Sequence, residues 1–334
     1  MVAGAHGLTG IEFADPALES AVRSGLAAVE DLLRASVRSH DAFVAEPAQH
    51  LVAAGGKRYR PLVVLLAAAF GDMQAAGVVP AAVVVELTHL ATLYHDDVMD
   101  EAVVRRGAVS ANARWSNTIA ILTGDFLFAR ASDLLADLGP DAVRIQARTF
   151  ERLVTGQIHE TVGAAPGSDR VSHYLSVLAE KTGSLIATSG RFGAMFGGAD
   201  ADTVEVLTAY GDVIGVAFQL SDDLLDIASD AADSGKTPGT DLREGVPTLP
   251  VLYALAGDDP AELRLRSLIG KPLDDDTLHA EALTLLRHSP AMDSARHTLA
   301  GYAADARDLL RPLPDVPARA ALESLTDFVV ARSS

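Results

Sequence analysis

Residues 80–103 read PAAVVVELTHLATLYHDDVMDEAV, and this stretch decides the fold. Its apolar residues recur at helical spacing and do not alternate, so the spacing predicts a helix that ends on Asp96, Asp97 and Asp100. On that helix Asp96 and Asp100 lie one turn apart and leave from one face, with Asp97 offset by about 100°. Carboxylates so placed repel each other, and a folded helix tolerates them poorly without a cation. The pattern returns as Asp222, Asp223 and Asp226, behind the apolar run Val213–Leu220. Acidic triplets are common on solvated helix faces, but long apolar leaders argue against that reading for either copy. Two such stripes predict a cavity where Mg²⁺ bridges carboxylates to a polyanion, because Mg²⁺ prefers one or two carboxylates plus substrate phosphates.

Working outward, helical periodicity recurs with few breaks. It predicts helices near 16–38, 41–53, 61–70, 80–103, 112–136, 141–163, 171–195, 201–229, 247–257, 260–269, 275–288, 292–311 and 317–332. Breakers fall between them, as at Gly55-Gly56, Gly71-Asp72, Gly139-Pro140 and Pro166-Gly167. No useful period-2 run appears, so strands are not expected. The reading is an all-α chain: a loosely held tail at 1–14, then one helical domain over 15–334. The polar segment Ser229–Glu244 follows the second aspartate cluster directly, as a linker or as a loop over a site.

Composition narrows the function. Of 334 residues 49% are hydrophobic and only 5% aromatic, enough for a sizeable, Ala- and Leu-rich helical core. A net charge of −18 argues against nucleic acid as a partner, since phosphate backbones repel such a field. Cysteine is absent, which removes disulfides and thiolate metal sites and fits a reducing, cytoplasmic location. The expectation is a soluble protein without a secretory signal.

An acidic chain that binds anions must concentrate its cations. Gly55-Gly56-Lys57-Arg58-Tyr59-Arg60-Pro61 sets a glycine turn, three basic residues and a helix-starting proline in one run. There backbone can approach phosphate oxygens while Lys supplies a point charge and Arg a planar fork. As an isolated feature it could equally be a helix entry with surface charges. Arg105 and Arg106 follow Asp100 closely, and His89 shares the face of Asp96 two turns upstream. Lys181-Thr182-Gly183 interrupts an apolar helix, where a lysine needs an anion or a route to solvent. Phe218-Gln219 stands one turn before Asp222-Asp223, and Gly156-Gln157 lies in another helix.

From about residue 45 onward the chain resembles the trans-isoprenyl diphosphate (polyprenyl) synthases. The residues that carry the resemblance are GGKRYRP at 55–61, HDDVMDEAVVRRG at 95–107, GQ at 156–157, KTG at 181–183, FQLSDDLLD at 218–226 and GKTPGTDLREGVPTLP at 235–250. Val246 stands where many members carry lysine. The resemblance implies a homodimeric, all-α isoprenoid synthase bundle around a deep central cavity. It implies head-to-tail condensation of an allylic diphosphate with isopentenyl diphosphate, using about three Mg²⁺. Asp96 and Asp100 would share two ions with the allylic diphosphate; Asp222, supported by Asp223 and Asp226, would hold the third. Arg105, Lys181 and Lys236 would assist at that diphosphate, while Lys57, Arg58, Arg60, His89 and Arg106 form the basic set for isopentenyl diphosphate. Gln157 joins the substrate-binding set, and dipoles at Thr182 and Gln219 would steady an allylic cation.

Product length follows from small residues beside the metals. Thr88, Ala91 and Thr92 leave room for a tail running along the helix toward Pro80, roughly 24 Å at 1.5 Å per residue. That predicts a product longer than geranylgeranyl diphosphate, in the hexaprenyl to decaprenyl range, released through transient membrane contact. Tyr94 points about 200° away from Asp96, leaving Phe126, Leu127 or Phe128 as candidates for the tunnel floor. Rival readings are a short-chain synthase, a class I terpene cyclase, a non-catalytic subunit and an acidic helical scaffold. The isopentenyl-type basic motifs oppose the cyclase, and six retained aspartates oppose the non-catalytic subunit.

Overall fold

The computed structural model describes residues 11–228 and 238–332, and nearly every ordered stretch among them is helical. The expected tail therefore lies mostly outside the described residues, as do 229–237 of the polar segment, Lys236 included. Contacts group the chain into two compact units, one built from residues 1–151, 185–211 and 312–324 and the other from 152–184, 212–311 and 325–334.

The first unit begins with α1 (Pro16–Ser36), where Asp15 accepts from the amides of Ala17 and Leu18 and Pro16 takes the first helical position. Then come α2 (Ala42–Ala53), α3 (Tyr59–Ala68) and α4 (Val78–Met99). The helix α4 packs on α1, on α3 and on α6 (Asn117–Leu138). Every residue from Ala81 to Thr88 is buried, Glu86 and Thr88 included, which suits a predominantly apolar helix at the centre of the unit's packing. Each fully buried leucine here, such as Leu87 or Leu90, contributes about 2 kcal/mol of transfer free energy. By length and composition α4 could cross a bilayer, but 67% of its most apolar window is buried inside the protein. Against α6 the approach is close: a Cβ on Gly124 would collide with His95 and with the Ala91 carbonyl.

Tyr94 ties α4 to α2. Proline at position 47 sits inside α2, and the Tyr94 hydroxyl donates to the Pro47 carbonyl (2.5 Å) while accepting from Leu51 N–H (3.2 Å). The hydroxyl is thus spliced into a helical hydrogen bond, and the ring is fully buried on the side away from Asp96.

Two local departures from the sequence expectation lie here. The helix expected to reach residue 103 stops at Met99, and the chain turns into a hairpin, β1 (Val104–Arg105) against β2 (Ala108–Val109). Strands of two residues are too short to show alternation, so periodicity missed them. The turn is Arg106-Gly107, with φ of 54° and 75°, the left-handed pair that a tight two-residue hairpin demands. The helix expected over 112–136 is split into α5 (Ala111–Arg114) and α6, because Ser116 caps the latter by accepting from Ile119 N–H.

The helices α7 (Pro140–Val162) and α10 (Ala201–Ala228) lend residues to both units. In the second unit, α8 (Arg170–Leu178) runs into a π turn at Ala179–Gly183, followed by α9 (Ser184–Phe196). After 229–237 come α11 (Thr240–Glu244), α12 (Leu249–Ala256), α13 (Leu263–Leu268), α14 (Asp276–Arg287), α15 (Pro290–Leu310) and α16 (Pro317–Ala331). The apolar α12 packs on α8 and α15, burying Leu249, Pro250, Val251 and Leu252.

Candidate active site

The first aspartate motif closes α4. Asp96 is half-buried, Asp97 fully buried and Asp100 exposed at the helix end. The hairpin turns Arg105 back so that its Nε donates to Asp97 Oδ1 at 2.5 Å. The other oxygen, Oδ2, is buried without a hydrogen-bond partner. Burial raises the Asp97 pKa and Arg105 opposes that shift, so the carboxylate depends on its arginine.

Arg106 reaches from the same turn to the carbonyl of Gly55, joining the hairpin to the glycine loop. Within that loop Arg58 adopts φ 49° at the start of α3. Its guanidinium spans Glu30 of α1 (2.9 Å) and Glu86 of α4 (3.0 Å), and only 11% of the side chain is exposed. Arg58 is thus committed to protein carboxylates, whereas Lys57 is exposed. The strained conformations of Arg58 and Arg106 cost of order 1 kcal/mol each and persist because these ion pairs and carbonyls hold them.

His89 lies half-buried among these cations. Burial and then Arg60, Arg106, Arg105 and Arg58 hold its pKa well below the ordinary histidine value. The imidazole is neutral at pH 7 and can share hydrogen bonds without adding charge. Guanidiniums gathered around one neutral ring make a site for an anion of high charge.

Thr88 and Ala91 are fully buried and Thr92 is half-buried. The Thr88 hydroxyl accepts from Gln146 Nε2 of α7 at 2.8 Å, and Gln146 Oε1 is left buried without a partner. Near Ala91, the ring of His95 meets Phe128, which in turn packs on Phe150 with the rings tilted by 60° at 4.5 Å between centroids.

In the second unit Lys181 sits in the π turn, the kind of helix irregularity that favours functional positions. Its ammonium meets Glu160 at 2.5 Å, the anion that an interrupted apolar helix requires. Gly156 permits this: a Cβ there would lie 2.7 Å from Lys181 N. Gln157 Oε1 is buried without a partner. Thr182 donates to Gln219 Oε1 (3.3 Å), Gln219 Nε2 donates to Asp223 Oδ1 (2.9 Å), and Tyr174 donates to Asp223 Oδ2. Burial pushes the Asp223 pKa up to about 7, with Tyr174 and Gln219 pulling against it.

The flanking aspartates differ. Asp222 pairs with Arg332 at 2.9 Å. Asp226 caps α11: its oxygens accept from the amides of Thr240 (3.2 Å) and Asp241 (3.1 Å), and its carbonyl accepts from Gly239 (2.7 Å). The return of the polar segment is thereby pinned to the motif.

Among the described residues no three carboxylates or histidines converge tightly enough to hold a metal alone. A hard cation such as Mg²⁺ takes only one or two carboxylates and completes its shell with phosphate and water. Asp96, Asp100 and Asp222 offer hard oxygens of the right kind, and the chain has no cysteine to favour a softer metal.

Sequence reasoning missed Glu86, Tyr174 and Arg332. For Glu86 a signal existed, since a lone glutamate inside a buried helix demands a cation. Tyr174 and Arg332 carry no local signal, because each meets its aspartate far along the chain.

Comparison with known proteins identifies the family. The polyprenyl synthetase family model matches residues 41–286. The chain is 54% identical to a nonaprenyl diphosphate synthase of Mycobacterium tuberculosis, over 97% of either chain. Among solved structures it is similar to a geranylgeranyl pyrophosphate synthase from Corynebacterium glutamicum complexed with calcium and isoprenyl diphosphate, with TM-score 0.87, 46% identity and coverage of 97% and 100% of the two chains. A decaprenyl diphosphate synthase from Rhodobacter capsulatus gives TM-score 0.85 at 36% identity, covering 95% and 99%.

Proposed function

The chain belongs to the polyprenyl synthetase family, and from that membership we propose that it joins isopentenyl diphosphate head to tail to an allylic diphosphate, making an all-trans polyprenyl diphosphate longer than C20. The observation that carries the reading is the complete first aspartate motif beside guanidiniums gathered around neutral His89. An enzyme that only ionises an allylic diphosphate has no need of that second anion site, which disfavours the cyclase. The similarity to a nonaprenyl diphosphate synthase supports a long product.

Asp96, Asp100, Asp222 and Asp226 would hold about three Mg²⁺ with the allylic diphosphate. Held there, Mg²⁺ would withdraw charge from that diphosphate and so make it a better leaving group. Lys57, Arg60, Arg106 and His89 hold isopentenyl diphosphate, while Arg58 keeps their loop in shape through Glu30 and Glu86. Arg105 and Lys181 stand by the allylic diphosphate. Acceptor oxygens at Thr182 and Gln219 steady the allylic cation without attacking it. The released pyrophosphate takes the final proton, so no side-chain base is needed.

The enzyme works in the cytoplasm as a homodimer, with transient membrane contact for product release. Exposed Ile121 and Leu122 on α6, 42% and 57% accessible, are apolar surface suited to a second copy. The test is incubation with isopentenyl diphosphate, each allylic primer and Mg²⁺, followed by chain-length analysis. Polyprenyl products abolished by EDTA are expected; no isopentenyl incorporation with any primer refutes the reading.

A further inference from the structure

We infer that Tyr174 is a positioning residue which, acting through Asp223, fixes the amide of Gln219 with its carbonyl oxygen facing Thr182. This rests on the prenyl-transfer reading above and assigns a role to a residue outside its motifs.

A glutamine amide has a donor end and an acceptor end of nearly equal shape, so its environment decides which end points where. The Thr182 hydroxyl can donate or accept and does not discriminate. Asp223 does: in its ionised form it only accepts, and with one oxygen taken by the Tyr174 hydroxyl its other oxygen takes Gln219 Nε2 at 2.9 Å. The bond from the Tyr174 hydroxyl stops the carboxylate from swinging. Asp223 is 7% exposed, so water cannot easily replace either donor. With Nε2 committed, Gln219 Oε1 is left toward Thr182 at 3.3 Å.

The orientation matters for an allylic cation. An amide oxygen carries partial negative charge and stabilises positive charge nearby, whereas the flipped amide would present N–H groups of the wrong sign. Removing the tyrosine hydroxyl frees Asp223 to turn, and the amide then samples both orientations. The loss falls on the ionised state and spares ground-state binding, so kcat drops while KM holds.

The test is a double-mutant cycle on the full chain, read by steady-state kinetics alongside thermal melting. Tyr174→Phe in the native background is expected to lower kcat about tenfold, with KM for both substrates within about twofold. In a Gln219→Leu background no amide remains to orient, and Tyr174→Phe is expected to change kcat no further. Tyr174→Met, which also removes the hydroxyl while filling the space, gives a second route to the same kcat loss should Tyr174→Phe not fold. An equal loss in both backgrounds means a general structural role and overturns the inference, as does unchanged kcat in Tyr174→Phe. A native enzyme that makes no polyprenyl product removes the function instead, so the two failures are distinguishable.

Discussion

Arg332 holds Asp222. The guanidinium meets the carboxylate at 2.9 Å, accepts the Phe218 ring against its plane at 4.3 Å, and donates to the Phe218 carbonyl and the Ser221 hydroxyl, each at 2.9 Å. Arg332, just past α16, thus brings a cation to the second aspartate stripe from within the chain.

Arg332→Gln is therefore expected to destabilise the metal-free protein by about 2 kcal/mol, as losing a charge-assisted bond does. Added Mg²⁺ supplies positive charge at the same carboxylates, so its stabilising effect should be larger in the variant than in the native chain. Thermal melting with and without Mg²⁺ measures both; an equal Mg²⁺ shift in the two proteins contradicts the assignment.

Glu86 is only 2% exposed and faces Arg58 at 3.0 Å. Glu86→Gln leaves a guanidinium short of a partner in a buried place, at a cost of about 3 kcal/mol in urea unfolding. Because Arg58 shapes the Gly55–Pro61 loop, KM for isopentenyl diphosphate should rise while KM for the allylic primer stays put. A rise in both would place the effect elsewhere.

His89 sets a pH dependence. Its folded pKa lies well below its ordinary value because of burial and the surrounding arginines, so below pH of about 6.5 the unfolded chain binds a proton that the folded chain refuses. Stability at this residue is thus complete above that pH and is lost as pH falls. Urea unfolding at pH 5 and 7.5 should show a smaller acid loss for His89→Gln than for the native chain. Added pyrophosphate, by countering the guanidiniums, should shrink the difference; parallel pH slopes would exclude the role.

Chain length should respond to two changes of opposite sense. Ala91→Phe places a ring about one turn behind the aspartates of the first motif and is expected to shorten the product, at a packing cost of roughly 1–3 kcal/mol. Gln146→Ala removes the cross-tie to Thr88 and is expected to lengthen it. Product analysis of folded variants decides; unchanged distributions in both refute a tunnel along α4.

Much of this was legible in the sequence because the signals are local. Apolar spacing around Val83–Tyr94 marked the central helix, and the acidic and basic motifs marked the candidate site. The hairpin was not legible, since its left-handed Arg106-Gly107 turn outweighs two-residue strands that have no periodicity. Tyr174 and Arg332 were not legible for another reason. Each acts on an aspartate distant in sequence, and a lone tyrosine or a near-terminal arginine looks the same whether it faces solvent or a carboxylate. Glu86 was legible in principle: an apolar helix does not carry a buried glutamate without a cation elsewhere.

Tyr94 shows how the central helix divides its circumference. Its hydroxyl completes the Pro47–Leu51 link of α2, so even Tyr94→Phe would strand two polar groups in the core. That side of α4 is frozen by the architecture. Ala91 and Thr92, around the helix, carry no such obligation to α2 and are the positions proposed to set product length. A lineage of such enzymes could diversify its products through one face of a single helix while the opposite face stays unchanged.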